Sequence, residues 1–494
     1  MNNPDLSKPN RQSVKGLALI FIQGIGQSVK VFWPLVLMLV FQKEIFANNL
    51  IWLFIGIAIL ILLIIHSILF YLNFYFHVSG GEFILKKGYL RKQILTIPLE
   101  RIQSVNTKQN LLQQILNVVS LEIDTAGTAG KELKIHALEK SFANELQNQL
   151  RSGKIKNVID ANGDEKSGEI EEKLILKLNP LDLLKIGISQ NHFRTALIIL
   201  AFGFQIFQKV EEVFQDKADE YSGEFVNYMS NSNLAIILFL AVFFLIVSIL
   251  FSLFRTVFKY FDFKLLKKGN AYRVEAGLVN KRNVIMPYNK IQELNWETGP
   301  IKKHLGIYNL VFKQAVSGLN KKVQLVDAPG CLKEHLELLK SDLFGEDKIS
   351  EMPKIYSARY YFWRLWIISG WIPVSLASPF LYSKWIFWLG VLCWLLISAA
   401  YIFLHLKKRY FRMNNDQIRI SNGAILHKWK QMELFKIQSV EFKQTIFQKR
   451  RSLASLSLMN ASGSMTIPYI DELMAKQIYN YLLYHTEISE KSWM

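Results

Sequence analysis

The chain has 494 residues, of which 51% are hydrophobic and 13% aromatic, and its formal net charge is +19. This length allows about three domains, and the hydrophobic share is high enough to argue against an entirely soluble protein. The positive charge fits residues that face anionic lipid beside membrane spans, as in KKRYFR at 407–412, and nucleic acid is not expected as a partner. With only Cys331 and Cys393, a structural disulfide is not expected.

Apolar windows of about 20 residues predict about six transmembrane helices that form three hairpins. The N-terminal region favours an interfacial helix over 12–28 and a first span over 29–47, because a single longer span would place Lys30 in the bilayer. The predicted hairpins pair 29–47 with 50–72, 193–209 with 233–255, and 363–382 with 385–405.

The distribution of Lys and Arg predicts the topology of these hairpins. The connections of the hairpins and the span ends beside them hold only Lys43, Lys209, Lys217 and Lys384. The remaining basic residues therefore place both termini and the large polar segments in the cytoplasm, with the chain as a multi-pass membrane protein. The polar first residues give no expectation of a cleavable signal peptide.

The first polar segment reads as short β-rich runs, including FYFHVS, EFILKKGYL and VVSLEIDTA, that are separated by turn residues. The stretch 139–150 follows, with Phe142, Leu146 and Leu150 on one helical face. A small antiparallel sheet or barrel with one C-terminal helix is therefore expected.

The same pattern occurs three times without a gap over about 35 residues. The glutamines of LERIQSV, YNKIQEL and LFKIQSV align at Gln103, Gln292 and Gln438. A glycine lies 13 positions before the basic residue of each motif, and an alanine lies 23 positions after each glutamine. The residues assigned a structural role in this motif are Gly88, Ile102, Gln103, Gly277, Ile291, Gln292, Gly423, Ile437 and Gln438.

The three-fold motif G-x-[LIV]…[RK]-I-Q-[SE]-[VL]…L…A-x-G resembles that of the bacterial pleckstrin-homology membrane proteins, the YdbS/YdbT-like family. The resemblance implies a fold in which α-helical membrane hairpins alternate with three cytoplasmic α+β pleckstrin-homology-like (PH-like) domains. The expected organisation is an N-terminus with interfacial helix (1–28), hairpin 1 (29–72), PH-like domain 1 (73–150), a linker (151–192), hairpin 2 (193–258), PH-like domain 2 (259–345), a linker (346–362), hairpin 3 (363–405) and PH-like domain 3 (406–494).

Two interpretations of the basic residue in the repeated motif stay open. In the first, the motif is structural: the apolar residues Leu99 and Val105, and their counterparts in the other repeats, predict a single helical turn that enters a strand, with the isoleucine in the core. Alternatively, Arg101, Lys290 and Lys436 point at lipid phosphates. About ten positions after the glutamine the third repeat has QKRR, which nominates Lys449, Arg450 and Arg451 for an anionic partner; the alternative there is a solvated basic face.

No enzyme signature is apparent, because the nine histidines are dispersed and no metal-ligand spacing or nucleophile motif occurs. We therefore expect no cofactor and no metal. The favoured function is a non-enzymatic scaffold that binds lipid headgroups, anionic ones among them, or proteins, including further copies of the chain, in envelope maintenance or defence. The alternative is a transporter or lipid-handling protein with a path between the hairpins, although the stronger spans contain almost no ionisable residues.

Overall fold

The computed structural model describes residues 6–27, 50–125, 133–159, 172–213, 234–315, 325–381 and 385–488. The chain divides into two compact units. The first comprises residues 1–173, 267–286 and 317–321, and the second comprises residues 174–266, 287–316 and 322–494. The predicted first span, 29–47, lies outside the described residues.

The described residues form short strands that recur in the same order in each repeat. The strands are β1 (Asn10–Arg11), β2 (Tyr75–Ser79), β3 (Glu82–Lys87), β4 (Gln93–Pro98), β5 (Ile102–Gln109), β6 (Val118–Thr125), β7 (Leu133–Glu139), β8 (Glu172–Lys177), β9 (Lys264–Lys268), β10 (Ala271–Ala276), β11 (Lys281–Pro287), β12 (Ile291–Thr298), β13 (Ile307–Gln314), β14 (Leu325–Leu332), β15 (Ile355–Tyr356), β16 (Tyr410–Met413), β17 (Gln417–Asn422), β18 (His427–Glu433), β19 (Ile437–Lys443), β20 (Leu453–Asn460) and β21 (Gly463–Asp471).

The helices fall into three kinds. Apolar helices occupy Leu50–Leu72, His192–Val213, Leu234–Tyr260 and Trp385–Lys407, and a further apolar segment is divided into Tyr361–Trp366, a π-helical turn at Ile367–Trp371, and Ile372–Leu381. Helices that follow a sheet occupy Lys140–Ile159, Lys333–Phe344 and Glu472–Ile488. Short or amphipathic helices occupy 15–27, Leu111–Ile115, Pro180–Ile188, Pro300–His304 and Ile446–Lys449.

Each repeat contains two groups of three antiparallel strands followed by a helix, as the sequence predicts for a PH-like domain. In the first repeat, β2-β3-β4 continues the two-residue strand β1, while β5, β6 and β7 form the second group. One core takes side chains from both groups and from the C-terminal helix, including Phe76, Phe83, Leu121, Ile135 and Leu146. The third repeat has the corresponding core, with members such as Ile418, Met432, Leu456, Ile467 and Leu482. The helix after the first repeat extends to Ile159, beyond the predicted end at residue 150.

The repeated glycine lies in a turn that requires its backbone conformation. Gly88, Gly277 and Gly423 have φ values of +95°, +111° and +114°, a region that L-residues with a side chain rarely adopt. A Cβ at any of the three would also collide with the carbonyl oxygen of the residue three positions later. Steric exclusion in a tight turn therefore explains why glycine recurs at this position.

The repeated motif forms a single 3₁₀ turn that leads into a strand, as predicted. The turns are Leu99–Arg101, Tyr288–Lys290 and Leu434–Lys436. The isoleucine that follows each turn is buried in all three repeats. The side chain of Gln103 lies outside the described part of the structure.

Two helices in the described residues are long and apolar enough to cross a membrane, namely the segments Val242–Tyr260 and Phe387–Lys407. Their side chains are largely exposed, as for Phe254 and Leu396, which suits contact with lipid tails. The apolar helices at Gly56–Leu72 and Arg194–Gly203 are shorter. Of the about six predicted spans, the structure thus supports two. The predicted span 363–382 is not one regular α-helix, because the π-turn at Ile367–Trp371 interrupts it.

Candidate functional site

The candidate site is built around the short helix that joins the first two strands of the second group in each repeat. A capping box forms it in the first and third repeats, because Asn110 and Thr445 accept from the backbone N–H of Gln113 and Gln448, whose side chains bond back. The Gln448 amide also donates to Ser455 Oγ at 2.7 Å. This helical turn is therefore fixed to the underlying sheet, and its outer side chains are held at the surface.

The turn of the third repeat presents large apolar side chains beside cations. Ile446 and Phe447 are 73% and 65% exposed, and Lys449, Arg450 and Arg451 are all exposed as well. We call these five residues the third-repeat tip. The three basic residues that the sequence nominates thus lie together on one exposed turn.

The third-repeat tip lies beside the beginning of an apolar helix. The guanidinium of Arg451 lies 4.0 Å from the centre of the Tyr360 ring. Tyr361, the next residue, stacks on Tyr469 and begins the helix that leads into the apolar segment to Leu381. Tyr and Trp side chains at 360–371 are of the type that anchors helices at membrane interfaces. The tip is therefore placed next to a segment of interfacial composition.

The matching turns of the other repeats differ in charge. Leu111 and Ile115 in the first repeat, and Ile301 in the second, are exposed apolar residues like those of the tip. In the second repeat, however, Lys302 is buried and its ammonium lies 3.6 Å from a carboxylate oxygen of Glu297. The first repeat has Gln114 and Ile115 where the third has Lys449 and Arg450. A cluster of three exposed cations is thus a property of the third repeat among these described turns.

The basic residue of the repeated motif has two different environments. Lys436 is 6% exposed, and its ammonium donates to the carbonyl oxygen of Ile291 at 2.8 Å and contacts Glu433 at 2.7 Å. Lys290 is also buried, whereas Arg101 is exposed. Burial favours a structural role for the two lysines, and lipid binding by any of the three stays a prediction.

The contact between Lys436 and Ile291 belongs to a joint between repeats that the sequence does not reveal. In the first unit, β11 of the second repeat pairs antiparallel with β5 of the first. In the second unit, β18 of the third repeat pairs antiparallel with β12 of the second. We call these pairings the first joint and the second joint. Backbone hydrogen bonds carry both joints and place little demand on side-chain identity, so no motif marks them.

Side chains nevertheless reinforce the second joint. Trp296 and Trp429 are directly opposite and stack with ring centroids 5.9 Å apart. Glu297 accepts from Lys428 at 3.0 Å. Burial alone would raise the pKa of Glu297, but the bond from Lys428 and the charges of Lys302 and Lys428 hold it below its ordinary value. Glu297 is therefore ionised at neutral pH and joins β12 to β18.

His427 begins β18 and lies opposite Thr298 in the second joint. Its ring stacks on Trp429 at 3.8 Å and its Nε2 lies 2.7 Å from Ser421 Oγ. Burial, together with the positive charges of Lys408, Lys303 and Lys354, lowers the pKa of His427 to about 4. The ring is therefore neutral at physiological pH.

A polar network lies under the same joint. Asp347, in the segment after the second repeat, accepts from Lys340 and from the guanidinium of Arg419 in β17. Arg419 also donates to Gln431 in β18 at 2.9 Å, and its guanidinium lies 5.4 Å from the Trp296 ring centre. Burial would raise the pKa of Asp347, but its hydrogen bonds and the charge of Arg419 lower it. The network thus connects both repeats through one carboxylate.

Two kinds of reactive group were sought in the described part of the chain, a metal cluster and a thiol nucleophile. No cluster of three His, Cys, Asp or Glu side chains there has metal-binding geometry. Cys331 is buried, its thiol donates to the Ala328 carbonyl, and burial raises its pKa to about 12, so it is a poor nucleophile.

Comparison with known proteins agrees with the three-fold repeat. The family described as "Bacterial PH domain" matches residues 28–154, 229–338 and 367–486, which together exceed half of the chain. A curated relative, "UPF0699 transmembrane protein YdbT" of Bacillus subtilis (strain 168), is 23% identical over 496 residues, covering 96% of each chain. The chain therefore belongs to the bacterial PH domain family of membrane proteins and contains three repeats of the family's unit.

Proposed function

We propose that this protein is a non-enzymatic scaffold of the bacterial inner membrane, in which the third-repeat tip binds anionic lipid headgroups. In this proposal about six spans hold the three PH-like domains at the cytoplasmic face, with both termini on that side. A role in envelope maintenance or defence would follow from this location. The relative's name describes a transmembrane protein and supports membrane attachment only.

The observation that carries the proposal is the composition of the third-repeat tip. Exposed apolar side chains at Ile446 and Phe447 are costly in water, and full burial of such a side chain is worth about 1.5–3 kcal/mol. Each Lys or Arg near an anionic surface adds about 1 kcal/mol. A turn that offers both is suited to the boundary between acyl chains and headgroups.

Attachment of the chain to the membrane strengthens this interaction. The contact between Arg451 and Tyr360 keeps the tip beside the helix that leads into the apolar segment. A weak site that is held near its ligand gains from a high effective concentration. Modest headgroup affinity would therefore be sufficient for occupancy.

The test uses a polarity-sensitive fluorophore on the full chain in lipid nanodiscs. Ile446→Cys supplies the labelling site in a Cys393→Ala background, and Cys331 is buried. We expect a blue shift in anionic nanodiscs relative to neutral ones, which high salt reverses because exposed charges are screened. The same shift should be lost when Lys449, Arg450 and Arg451 are replaced by alanine.

The matched control places the fluorophore at Leu111, the exposed counterpart of Ile446 in the first-repeat turn, which lacks the three cations. Its emission should change little between neutral and anionic nanodiscs. Equal emission of the Ile446→Cys label in both lipid compositions would refute headgroup binding by the tip.

A further inference from the structure

We infer that two chains of this protein associate head to tail, with β4 of one chain paired antiparallel with β19 of the next. The inference goes beyond lipid binding and concerns the two strand edges at which the sheets of the first and third repeats end; it shares one residue, Lys449, with the third-repeat tip. A second chain is the partner, because the two edges are complementary halves of a joint that this chain already makes twice.

The two joints within the chain have the same register. In the first, Lys281, Arg282 and Asn283 lie opposite Gln109, Lys108 and Thr107. In the second, His427, Lys428 and Trp429 lie opposite Thr298, Glu297 and Trp296. These are the same positions when the repeats are aligned on Gln103, Gln292 and Gln438. Each joint thus pairs the third strand of one repeat with the fourth strand of the preceding repeat.

In the described part of the chain, the three repeats leave one third strand and one fourth strand at the end of a sheet. β4, the counterpart of β11 and β18, ends the sheet β1-β2-β3-β4. β19, the counterpart of β5 and β12, ends the sheet β19-β20-β21. Open strand edges present unpaired backbone donors and acceptors, and proteins commonly use them to add a strand from another chain.

Side-chain exposure follows the state of the edge. On β12, which is paired on both sides, Gln292 and Glu293 are each 1% exposed, whereas their counterparts on β19, Gln438 and Ser439, are exposed. On β4, Ile94 is 65% exposed, and Leu90 in the preceding turn is 88% exposed. Apolar residues of this size at an open edge are the opposite of the Lys and Pro that usually protect such edges.

The polar contacts of the joints also have counterparts at the two strand edges. In the second joint, Lys436 donates to the carbonyl of Ile291. The counterpart of Lys436 in the first repeat is Arg101, which is exposed, and the counterpart of Ile291 in the third is Ile437. Arg101 of one chain would therefore donate to the Ile437 carbonyl of the next.

The short helix supplies a second contact of the same kind. In the first joint, the Gln114 side chain donates to the carbonyls of Leu278 and Val279 at 2.9 and 2.8 Å. The counterpart of Gln114 in the third repeat is Lys449, whose ammonium can donate to the equivalent turn at Tyr89 and Leu90 of a second chain. The outer residue Ile446 stays free for lipid, as its counterpart Leu111 stays exposed beside the first joint.

The repeated register fixes the pairing between chains. It places Lys92 opposite Gln444, Gln93 opposite Lys443, Ile94 opposite Phe442, Leu95 opposite Glu441, and Thr96 opposite Val440. No like charges are opposite, and Ile94 with Phe442 occupies the position of the Trp296 and Trp429 stack. Such an aromatic and β-branched pair contributes to sheet stability. Because the interface joins different surfaces, it generates rings or open chains.

The test is cysteine cross-linking of the full chain in membranes, in a Cys393→Ala background. Two populations with different affinity tags, one with Ile94→Cys and the other with Phe442→Cys, are co-expressed and oxidised. We expect a disulfide-linked dimer that carries both tags. The double variant should form a ladder of dimers and larger species, because every chain then offers both edges.

Two controls separate this pairing from chance encounters. Ile94→Cys with Glu441→Cys moves one cysteine to the other face of β19, since neighbouring strand residues point to opposite faces, and it should give little cross-linking. Ile94→Lys places a charge on the exposed edge of β4 and should convert the oligomer to monomer by native mass measurement. Because Ile94 is exposed, this variant should retain the melting temperature of the monomer.

Three outcomes would overturn the inference. The first is a monomer in nanodiscs with no mixed-tag dimer, and the second is cross-linking of the double variant only within one chain. The third is equal dimerisation by Ile94→Cys alone, which would indicate a symmetric contact. The Ile446→Cys fluorescence in the Ile94→Lys background reports lipid binding separately, so failure of either proposal is recognised independently.

Discussion

Strands β12 and β19 are copies of one strand, and they differ mainly in what lies beside them. β12 pairs with β13 and β18, so its polar residues Gln292 and Glu293 are buried. Among the strands that the structure describes, β19 pairs only with β20, and the same two positions are exposed. The comparison shows that the environment of a repeated residue is set by the adjoining repeat as much as by its own domain.

The largest loss of stability is expected at Trp296, the aromatic residue of β12 in the second joint. Trp296→Ala removes a side chain that stacks on Trp429 and contacts Arg419, and truncation of a buried aromatic costs about 3–5 kcal/mol. Phe442→Ala, the same position on the open edge, should cost about 1 kcal/mol, because the ring is only partly buried. Hydrogen exchange of amides in β12 and β19, in the monomeric Ile94→Lys background, measures both; equal losses would contradict the comparison.

A smaller difference is expected for the basic residue of the repeated motif. Lys436→Ala leaves the Ile291 carbonyl and the Glu433 carboxylate without their buried donor, at a cost of about 1.5–3 kcal/mol. Arg101→Ala should change monomer stability by less than about 0.5 kcal/mol, because Arg101 is exposed. Thermal unfolding in the same background checks this. A large effect of Arg101→Ala would show that Arg101 supports its own domain.

Acidification should weaken the second joint through His427. Its pKa is about 4 in the folded protein and about 6.5 when unfolded, so the unfolded chain binds more protons between these values. Stability is therefore complete above about pH 6.5 and is lost as the pH falls towards 4, by about 1 kcal/mol after solvent screening. His427→Gln should flatten the dependence of the melting temperature on pH in this window. An unchanged slope would show that other titratable groups cause the pH dependence of stability.

The smallest effect on stability is expected at the third-repeat tip. Replacement of Lys449, Arg450 and Arg451 by alanine removes exposed charges and one cation–π contact, which together should change stability by about 0.5–1 kcal/mol. Thermal unfolding in detergent, without anionic lipid, measures this. If the triple variant is strongly destabilised, its loss of the fluorescence shift would reflect unfolding and not lost lipid binding. Single replacements of Lys449 or Arg450 would then be used in the lipid experiment in its place.

Local chemistry made part of this architecture predictable. The glycine turns, the single helical turn of the motif and the buried isoleucine follow from short-range sterics and periodicity, and all are present at the predicted positions. The order of strands and helix in each repeat follows from the same signals. The predicted spans are supported less completely, since length and composition alone do not indicate the π-turn at Ile367–Trp371.

The two joints between repeats could not be predicted from local sequence patterns. β11 and β18 read KRNVIMP and HKWKQME, with little in common, because backbone groups make the pairing. The contact of Lys436 with Ile291 joins residues 145 positions apart, so no window of sequence contains both partners. The exposed cations of the tip could be nominated from sequence, but the burial of Lys290 and Lys436 could not.

Shared sheets also impose an order in time. β5 leaves the ribosome long before its partner β11, and the contact of Gln114 with Leu278 spans 164 residues. At about 5–20 residues per second, roughly 10–30 s of synthesis separates the two sides. During that interval each nascent repeat exposes the edge that its successor will cover. Insertion of the intervening apolar helix, Val242–Tyr260, into the membrane would therefore have to be completed while the edge of β5 is still exposed. Delayed insertion would be more damaging to this chain than to one with independent domains.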